Sequence, residues 1–330
     1  KHVVLAPTGI AAINAGGSTI HSFFKMPFRP IMPDDPDLSL QNNRIYDLLK
    51  YNKTQRKLLK EVELIIIDEI SMVRADMIDF MDRVLRVFSG NMRTPFGGKQ
   101  LLLVGDIYQL EPVVTSDTRD ILARFYTTPF FFSAKVFQEI QLVSIELRKV
   151  YRQTDSTFID ILDRIRSNNA NDSDISKLNS RVNANINVRD KSLVITLASR
   201  RDTVDYINEQ RLAQLEGSPS IFHGKIKGDF PETSLPTPME LEIKPGAQVI
   251  FIKNDKDKRW VNGTLGVVSG IDEEEGIISV VVEDGNEYDV ERVVWENIRY
   301  KFNDKEQKIE EELLGVYTQF PLRLAWAITI

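Results

Sequence analysis

Cysteine is absent from the 330 residues. That excludes a disulfide scaffold and any zinc site built on thiolates, and it suits an intracellular protein. Histidine occurs only at His2, His21 and His223, too few and too scattered for a histidine-rich metal site. No stretch approaches the roughly 18 consecutive apolar residues that a membrane helix needs. The opening KHVVLAP is strand-like and does not read as a secretory leader. A membrane partner is therefore not expected. Internal repeats are also missing. What is present is a 42% share of hydrophobic residues, enough for a substantial core, on a chain long enough for two domains. The net charge of −6 argues against a wholly basic nucleic-acid binder. The charge is uneven, however. Residues 1–60 hold 9 Lys and Arg against 4 Asp and Glu, whereas residues 151–330 hold 23 against 31. A narrow basic groove on an acidic protein gives the same sum.

The first part of the chain alternates strands and helices. HVVLA (2–6), ELIIID (63–68) and QLLLVGD (100–106) are short apolar runs of the kind found in parallel strands covered by helices on both faces. Between the last two, Met77, Phe80, Met81, Val84 and Phe88 recur at helical spacing, and Gly90 can stop the helix. The fold class is α/β. Residues 25–62 interrupt the pattern, with prolines at 27, 30, 33 and 36 and then a charged helix over about 43–60. A second domain starts near 148. It contains a helix at FIDILDRIRS, a strand at SLVITLAS (192–199) and a helix capped by Ser199, with Asp202 three residues on and Gly217 as terminator. From 245 to about 300 short strands alternate with turns such as Asp284-Gly285, which reads as a small antiparallel barrel. PLRLAWAITI (321–330) resumes α/β character.

LIIIDEISMV (64–73) places Asp68 and Glu69 at the end of a strand. Strand ends of parallel sheets meet the ligand crevice. There an Asp can hold Mg²⁺ and a Glu can orient or deprotonate an attacking water; an acidic loop capping the next helix would look the same. VGDIYQLEPVV (104–114) is a second strand ending in Gly-Asp, with Gln109 close behind; that amide can reach a γ-phosphate or simply face solvent. LAPTGIAA (5–12) turns through Pro7, Thr8 and Gly9 into a helix of small residues, whose backbone N–H groups suit a phosphate. LRKVYRQTD sets Arg148, Lys149 and Arg152 at the domain junction, where an arginine reaches across a cleft or serves a salt-bridged hinge. STIHSFFK (18–25) offers hydroxyls, an imidazole and two phenyl rings, at least one of them expected in the core. KNDKDKRW (253–260), with Lys258 in it, is a solvated or a DNA-facing loop. Arg200 and Arg201 start a helix, a poor place for cations unless an anion is near.

The ordered blocks APTGIAA, GSTIHSFF, DEISMV, GDIYQLEPV, VYRQ and WVNGTLGVV together resemble superfamily 1B DNA helicases, specifically the petite-integration-frequency family and its RecD-like cousins. The resemblance implies two RecA-like parallel-sheet domains, at 1–147 and at 148–244 with 301–330. It makes 25–62 an inserted wedge-type subdomain of the first and 245–300 an inserted small β-barrel of the second. It implies ATP and Mg²⁺ as cofactors. It also implies 5′-to-3′ movement on single-stranded DNA by a monomer that unwinds forked duplex or guanine-quadruplex DNA. Asp68 would bind Mg²⁺, Glu69 activate water, Gln109 sense the γ-phosphate and Arg152 stabilise transition-state charge. Pro7, Thr8, Gly9, His21, Ser22, Phe23, Arg200, Lys258, Asn262, Gly263 and Thr264 would lie along DNA.

One departure stands out. No G-x-x-x-x-G-K-[ST] loop is present; Gly98-Lys99 and Gly224-Lys225 lack the flanking residues. The family carries that loop upstream of residue 1 and its last motifs downstream of residue 330, so these 330 residues alone are expected not to hydrolyse ATP. Other readings are a metal-dependent nuclease built on Asp68, Glu69 and Asp106, a non-catalytic single-strand binder, or a RecD-type subunit of a nuclease complex.

Overall fold

A computed structural model describes residues 1–40, 43–151, 155–182, 193–303, 305–306 and 308–329. The chain divides into two compact units. The first comprises 1–7, 17–186 and 300–310, the second 8–16, 187–299 and 311–330.

The first unit is built on four parallel strands: β1 (His2–Ala6), β2 (Ser18–Thr19), β3 (Leu64–Ile67) and β4 (Gln100–Leu103), in the order β2-β1-β3-β4. Leu5 lies opposite Ile67, and Ile67 opposite Leu103, so the strands end in line. Val3, Leu5, Ile65 and Ile67 are buried, together with Phe80, Met81, Val84 and Leu85 of a long helix, Ala75–Ser89. That helix ends at Gly90, whose φ of 73° is the left-handed stop expected of glycine. Burial on both faces is not realised throughout. In β3 the residues alternate between half-buried and buried, and in β4 Leu102 is 49% exposed. For β4 the physical reason is position, since it is an edge strand of the sheet among the described residues.

Between β2 and β3, among the described residues, run three α-helices: Ile20–Phe24, Arg44–Leu49 and Lys53–Glu61. The single charged helix expected over 43–60 is therefore two. Lys50 takes a left-handed φ of 44°, and Asn52 starts afresh with a capping box to Gln55, its Oδ1 accepting from the Gln55 N–H at 2.8 Å. The proline-rich stretch before them is held by charge. Arg29 bridges Asp35 and Asp37, and the Ile31 N–H donates to Asp76 Oδ2 at 3.0 Å. Asp76 is fully buried and also accepts from Arg74 Nε at 2.8 Å and Nη2 at 2.9 Å. Helices Ser116–Leu122, Ser156–Arg166 and Asp172–Asn179 complete the unit.

In the second unit a short helix, Gly9–Asn14, and strand Thr196–Ala198 precede helix Arg201–Ala213. Strand Ala327–Thr329 pairs parallel with 196–198 and is gripped by Asn208, whose Nδ2 donates to the Ala327 carbonyl while its Oδ1 accepts from the Ala327 N–H, both at 2.9 Å. Strands 248–251, 265–272, 277–282, 287–290 and 322–324 form a five-stranded sheet around Phe251, Trp260, Ile278, Val280 and Phe320. The helix beginning at 201 has Arg200 rather than Ser199 as its cap residue, and it ends before Gln214, ahead of Gly217. Of the strand read over 192–199, residue 192 lies outside the described residues, and among the rest 196–198 are strand.

Asp76→Ala would leave the largely buried Arg74 guanidinium and the Ile31 N–H without their acceptor. A loss of about 3–5 kcal/mol is expected, read as a lower urea midpoint for unfolding of the first unit.

Candidate functional site

Parallel pairing carries the ends of β3 and β4 to one edge. The Asp68 N–H donates to the Leu5 carbonyl at 2.9 Å and the Val104 N–H to the Ile67 carbonyl at 2.8 Å. The next residue after Asp68, Glu69, adopts φ 52° and ψ 45°, a left-handed conformation unusual for a residue with a side chain. Its cost, roughly 1–2 kcal/mol, is borne where a sharp turn must leave the strand. The Glu69 N–H donates to Asp68 Oδ1 at 3.0 Å, and the chain enters a helical turn at Ile70–Met72. The Ile70 N–H then returns to the Val104 carbonyl at 3.0 Å. Gly105 packs against this turn so closely that a Cβ there would meet Ile70 N at 3.0 Å and Ile70 Cγ2 at 3.2 Å. The Asp68-Glu69 turn and the loop after β4 are thus one packed piece.

Within that loop Asp106 acts as a hub. Its Oδ1 accepts from the Tyr108 N–H at 3.0 Å, and its Oδ2 accepts from both Gln109 Nε2 and Arg166 Nη1 at 3.2 Å. The Arg166 guanidinium also lies 5.2 Å from the centre of the Tyr108 ring. Burial pushes the Asp106 carboxyl up, but the Tyr108, Gln109 and Arg166 donors outweigh it and hold the group below the usual carboxylate range. With its oxygens so engaged, Asp106 is a poor metal ligand, and among the described residues no cluster of three His, Cys, Asp or Glu is disposed to hold a metal. This weakens the nuclease reading. Mg²⁺ bound through substrate phosphates needs only one or two carboxylates, and half-buried Asp68 at the strand end fits that demand. Arg152 lies outside the described residues.

The other predicted positions sort by unit. In the first, Pro7 follows β1, and His21, Ser22 and Phe23 form a short helix. The His21 ring is stacked on Phe28 (centroids 4.6 Å apart, planes within 4°), and Phe28 is 92% exposed. Burial, then the nearby Arg74 cation, lowers the His21 pKa against the pull of Asp76, so this imidazole is neutral at pH 7. Ser22 is exposed, Phe23 half-buried and Phe24 fully buried, so one of the two phenyl rings is core. In the second unit Thr8 caps its helix, its Oγ1 accepting from the Ala11 N–H at 3.2 Å. A Cβ on Gly9 would strike Ser234 Oγ at 2.0 Å. Arg200 is paired with Asp202 by Nε at 3.0 Å, which supplies an anion for that cation at the helix start.

The loop 253–264 is more ordered than a solvated loop. Trp260 is 6% exposed and stacks on Phe251 at 4.4 Å. Arg259 clasps Asp255 through Nη2 at 2.8 Å and Nε at 3.0 Å, and so holds the Asp255 carboxyl at about 2. Lys258 remains exposed, with a left-handed φ of 62°. The Asn262 N–H donates to Asn254 Oδ1 at 2.7 Å, Gly263 has φ 95°, and Thr264 Oγ1 accepts from the Val261 N–H at 3.1 Å. Arg166 was not visible as a site residue. Its partner lies 60 residues away, and its own sequence shows only a cation in the last turn of an amphipathic helix.

An α/β sheet with an acidic pair and a Gly-Asp…Gln turn at its carboxyl edge defines a RecA-like class of domain. A family model described as PIF1-like helicase matches residues 1–176, and the chain belongs to that family. It is 34% identical over 277 residues to the ATP-dependent DNA helicase PIF1 of Saccharomyces cerevisiae (strain YJM789), covering 80% of this chain and 30% of the yeast protein. The chain spans about a third of the length of the yeast relatives it matches. In structure it is similar to Bacteroides sp Pif1 in complex with ADP-AlF4, with a TM-score of 0.90, 39% identity and coverage of 99% of this chain and 72% of that one. Similarity to the Bacteroides Pif1 complex with ADP-AlF3 and ssDNA gives a TM-score of 0.57, 39% identity and coverage of 100% and 73%.

Gly105→Ala should push Ile70 away from β4. The expected result is a stability loss of about 1–3 kcal/mol and faster amide exchange at Ile70, read by urea unfolding and hydrogen exchange.

Proposed function

We propose that the protein carrying this chain is an ATP-hydrolysing DNA helicase. It translocates 5′ to 3′ on single-stranded DNA and opens forked duplex or guanine-quadruplex DNA, acting inside the cell as a monomer. The observation that carries this reading is the in-register pairing of β3 and β4, which puts the Asp68-Glu69 turn beside the Asp106–Gln109 loop. The relatives support it: the yeast protein is named an ATP-dependent DNA helicase, and the Bacteroides protein was solved with a nucleotide analogue and ssDNA.

In this reading Asp68 holds Mg²⁺, which when bound neutralises charge on the nucleotide phosphates. Glu69 accepts the proton of the attacking water. Gln109 contacts the γ-phosphate or that water, and Arg152 offsets transition-state charge. Thr8, Ser22, Asn262 and Thr264 offer hydroxyl or amide groups to the DNA backbone, next to the backbone N–H groups of Gly9 and Gly263. Pro7 shapes the first of these turns. Neutral His21 contributes a ring and a hydrogen bond rather than a counter-charge, and Phe23 an aromatic edge. Arg200 and Lys258 contribute charge. Residues 25–62 form the wedge that splits the duplex, and 245–300 the inserted barrel.

The test is ATP turnover by the full-length protein with and without single-stranded DNA, beside a Glu69→Gln variant. Strong DNA stimulation is expected, falling about 10²–10⁴-fold in the variant while DNA affinity stays. Absence of DNA-dependent turnover in the wild type would leave a DNA binder and sink the motor. Direction is read separately: unwinding should require a 5′ rather than a 3′ single-stranded tail. For Lys258→Ala the slope of log affinity against log salt should flatten by about 1.

A further inference from the structure

The Asp106 carboxylate binds more than its own loop needs. The Tyr108 N–H satisfies Oδ1 within a local turn, yet Oδ2 receives two further donors, Gln109 Nε2 and Arg166 Nη1, each at 3.2 Å. We propose that Asp106 and Arg166 are positioning residues for Gln109, a latch that fixes the orientation of its carboxamide. An ionised carboxylate only accepts. The amide nitrogen of Gln109 must therefore face Asp106, and Oε1 with the second N–H is left for the nucleotide or its water. Arg166 keeps the shared oxygen in place, and is itself steadied by the Tyr108 ring and by Asp163 Oδ1 at 3.4 Å from Nη2.

Arg166 is the last residue of helix Ser156–Arg166, which is capped by Asp155, so the latch is carried on a regular element and not on a loop. Coulomb attraction alone would not set the amide plane. The shared oxygen does, because moving Arg166 moves the acceptor on which Gln109 rests.

This inference rests on the reading of Gln109 as a nucleotide-contacting residue, and the experiment separates the two. DNA-stimulated ATP turnover is measured for full-length wild type, Arg166→Ala, Arg166→Lys, Gln109→Ala and the double variant Arg166→Ala/Gln109→Ala. Loss of orientation should lower kcat of Arg166→Ala by about ten- to a hundredfold, with KM for ATP nearly unchanged. Lysine should restore part of it. In the Gln109→Ala background the arginine change should add almost nothing, since there is no amide left to orient. A merely structural role for Arg166 would multiply with Gln109→Ala, and that result overturns the latch. So does wild-type turnover in Arg166→Ala when Gln109→Ala is impaired. If Gln109→Ala itself turns over like wild type, the γ-phosphate reading falls and the latch with it.

Discussion

Parallel hydrogen bonding among β1, β3 and β4 fixes where the functional groups of the first unit stand. Leu5, Ile67 and Leu103 lie at one level, and the next amides, of Asp68 and Val104, close the ladder. Side chains on a strand alternate faces, so a slip of one residue would expose Ile65 and Ile67 and turn Asp68 away from its present side. The core and the acidic turn are thus specified by the same register. Gly105 adds a steric condition, because a Cβ there would crowd Ile70 N and Cγ2 at 3.0 and 3.2 Å and Ile70 would have to give way. Apolar burial supplies the free energy here, but the backbone ladder decides geometry.

The first sheet and its long helix were legible because their signals are local and repeated. Short aliphatic runs mark β1, β3 and β4, and Met77, Phe80, Met81 and Val84 recur at helical spacing up to a glycine stop. The placement of acids at the strand ends was visible too, since Asp68-Glu69 and Gly105-Asp106 follow directly on those runs. What could not be read depends on partners distant in sequence or on backbone conformation. A charged run such as 43–60 does not announce a left-handed Lys50, and Asn52 reads as a helix residue until its capping box is seen. Trp260 closes a segment with four cations in sequence yet stacks on Phe251, while the preceding Arg259 pairs with Asp255. Arg200 at a helix start calls for an anion nearby, and Asp202 is one, a pairing that charge alone does not reveal in the sequence.

The second unit shows a different economy of contacts. Beside longer strands such as 265–272, it holds a three-residue parallel pair, 196–198 with 327–329, that buried polar side chains fix in place. Asn208 holds both backbone groups of Ala327, and Gln248 Nε2 donates to the Ala325 carbonyl at 2.8 Å. Such ties are directional, and each is costly to leave unmade. They give the short C-terminal strand a single register where three residues of pairing alone would allow several. The same principle operates in the proline-rich stretch of the first unit, where Arg29, Asp35, Asp37 and Asp76 stand in for regular structure.

The left-handed backbone at Glu69 also constrains how this position can vary. Residues with φ near +50° favour glycine, asparagine and aspartate and penalise β-branched side chains. A lineage that lost the carboxylate by drift would pass most easily to glycine or asparagine and keep the turn, while valine or isoleucine would strain it. The shape of the strand end is therefore separable from its acid. A relative with the same fold and an Asn or Gly here would retain the turn at the strand end while lacking its second acid, and would be recognisable as such from one residue.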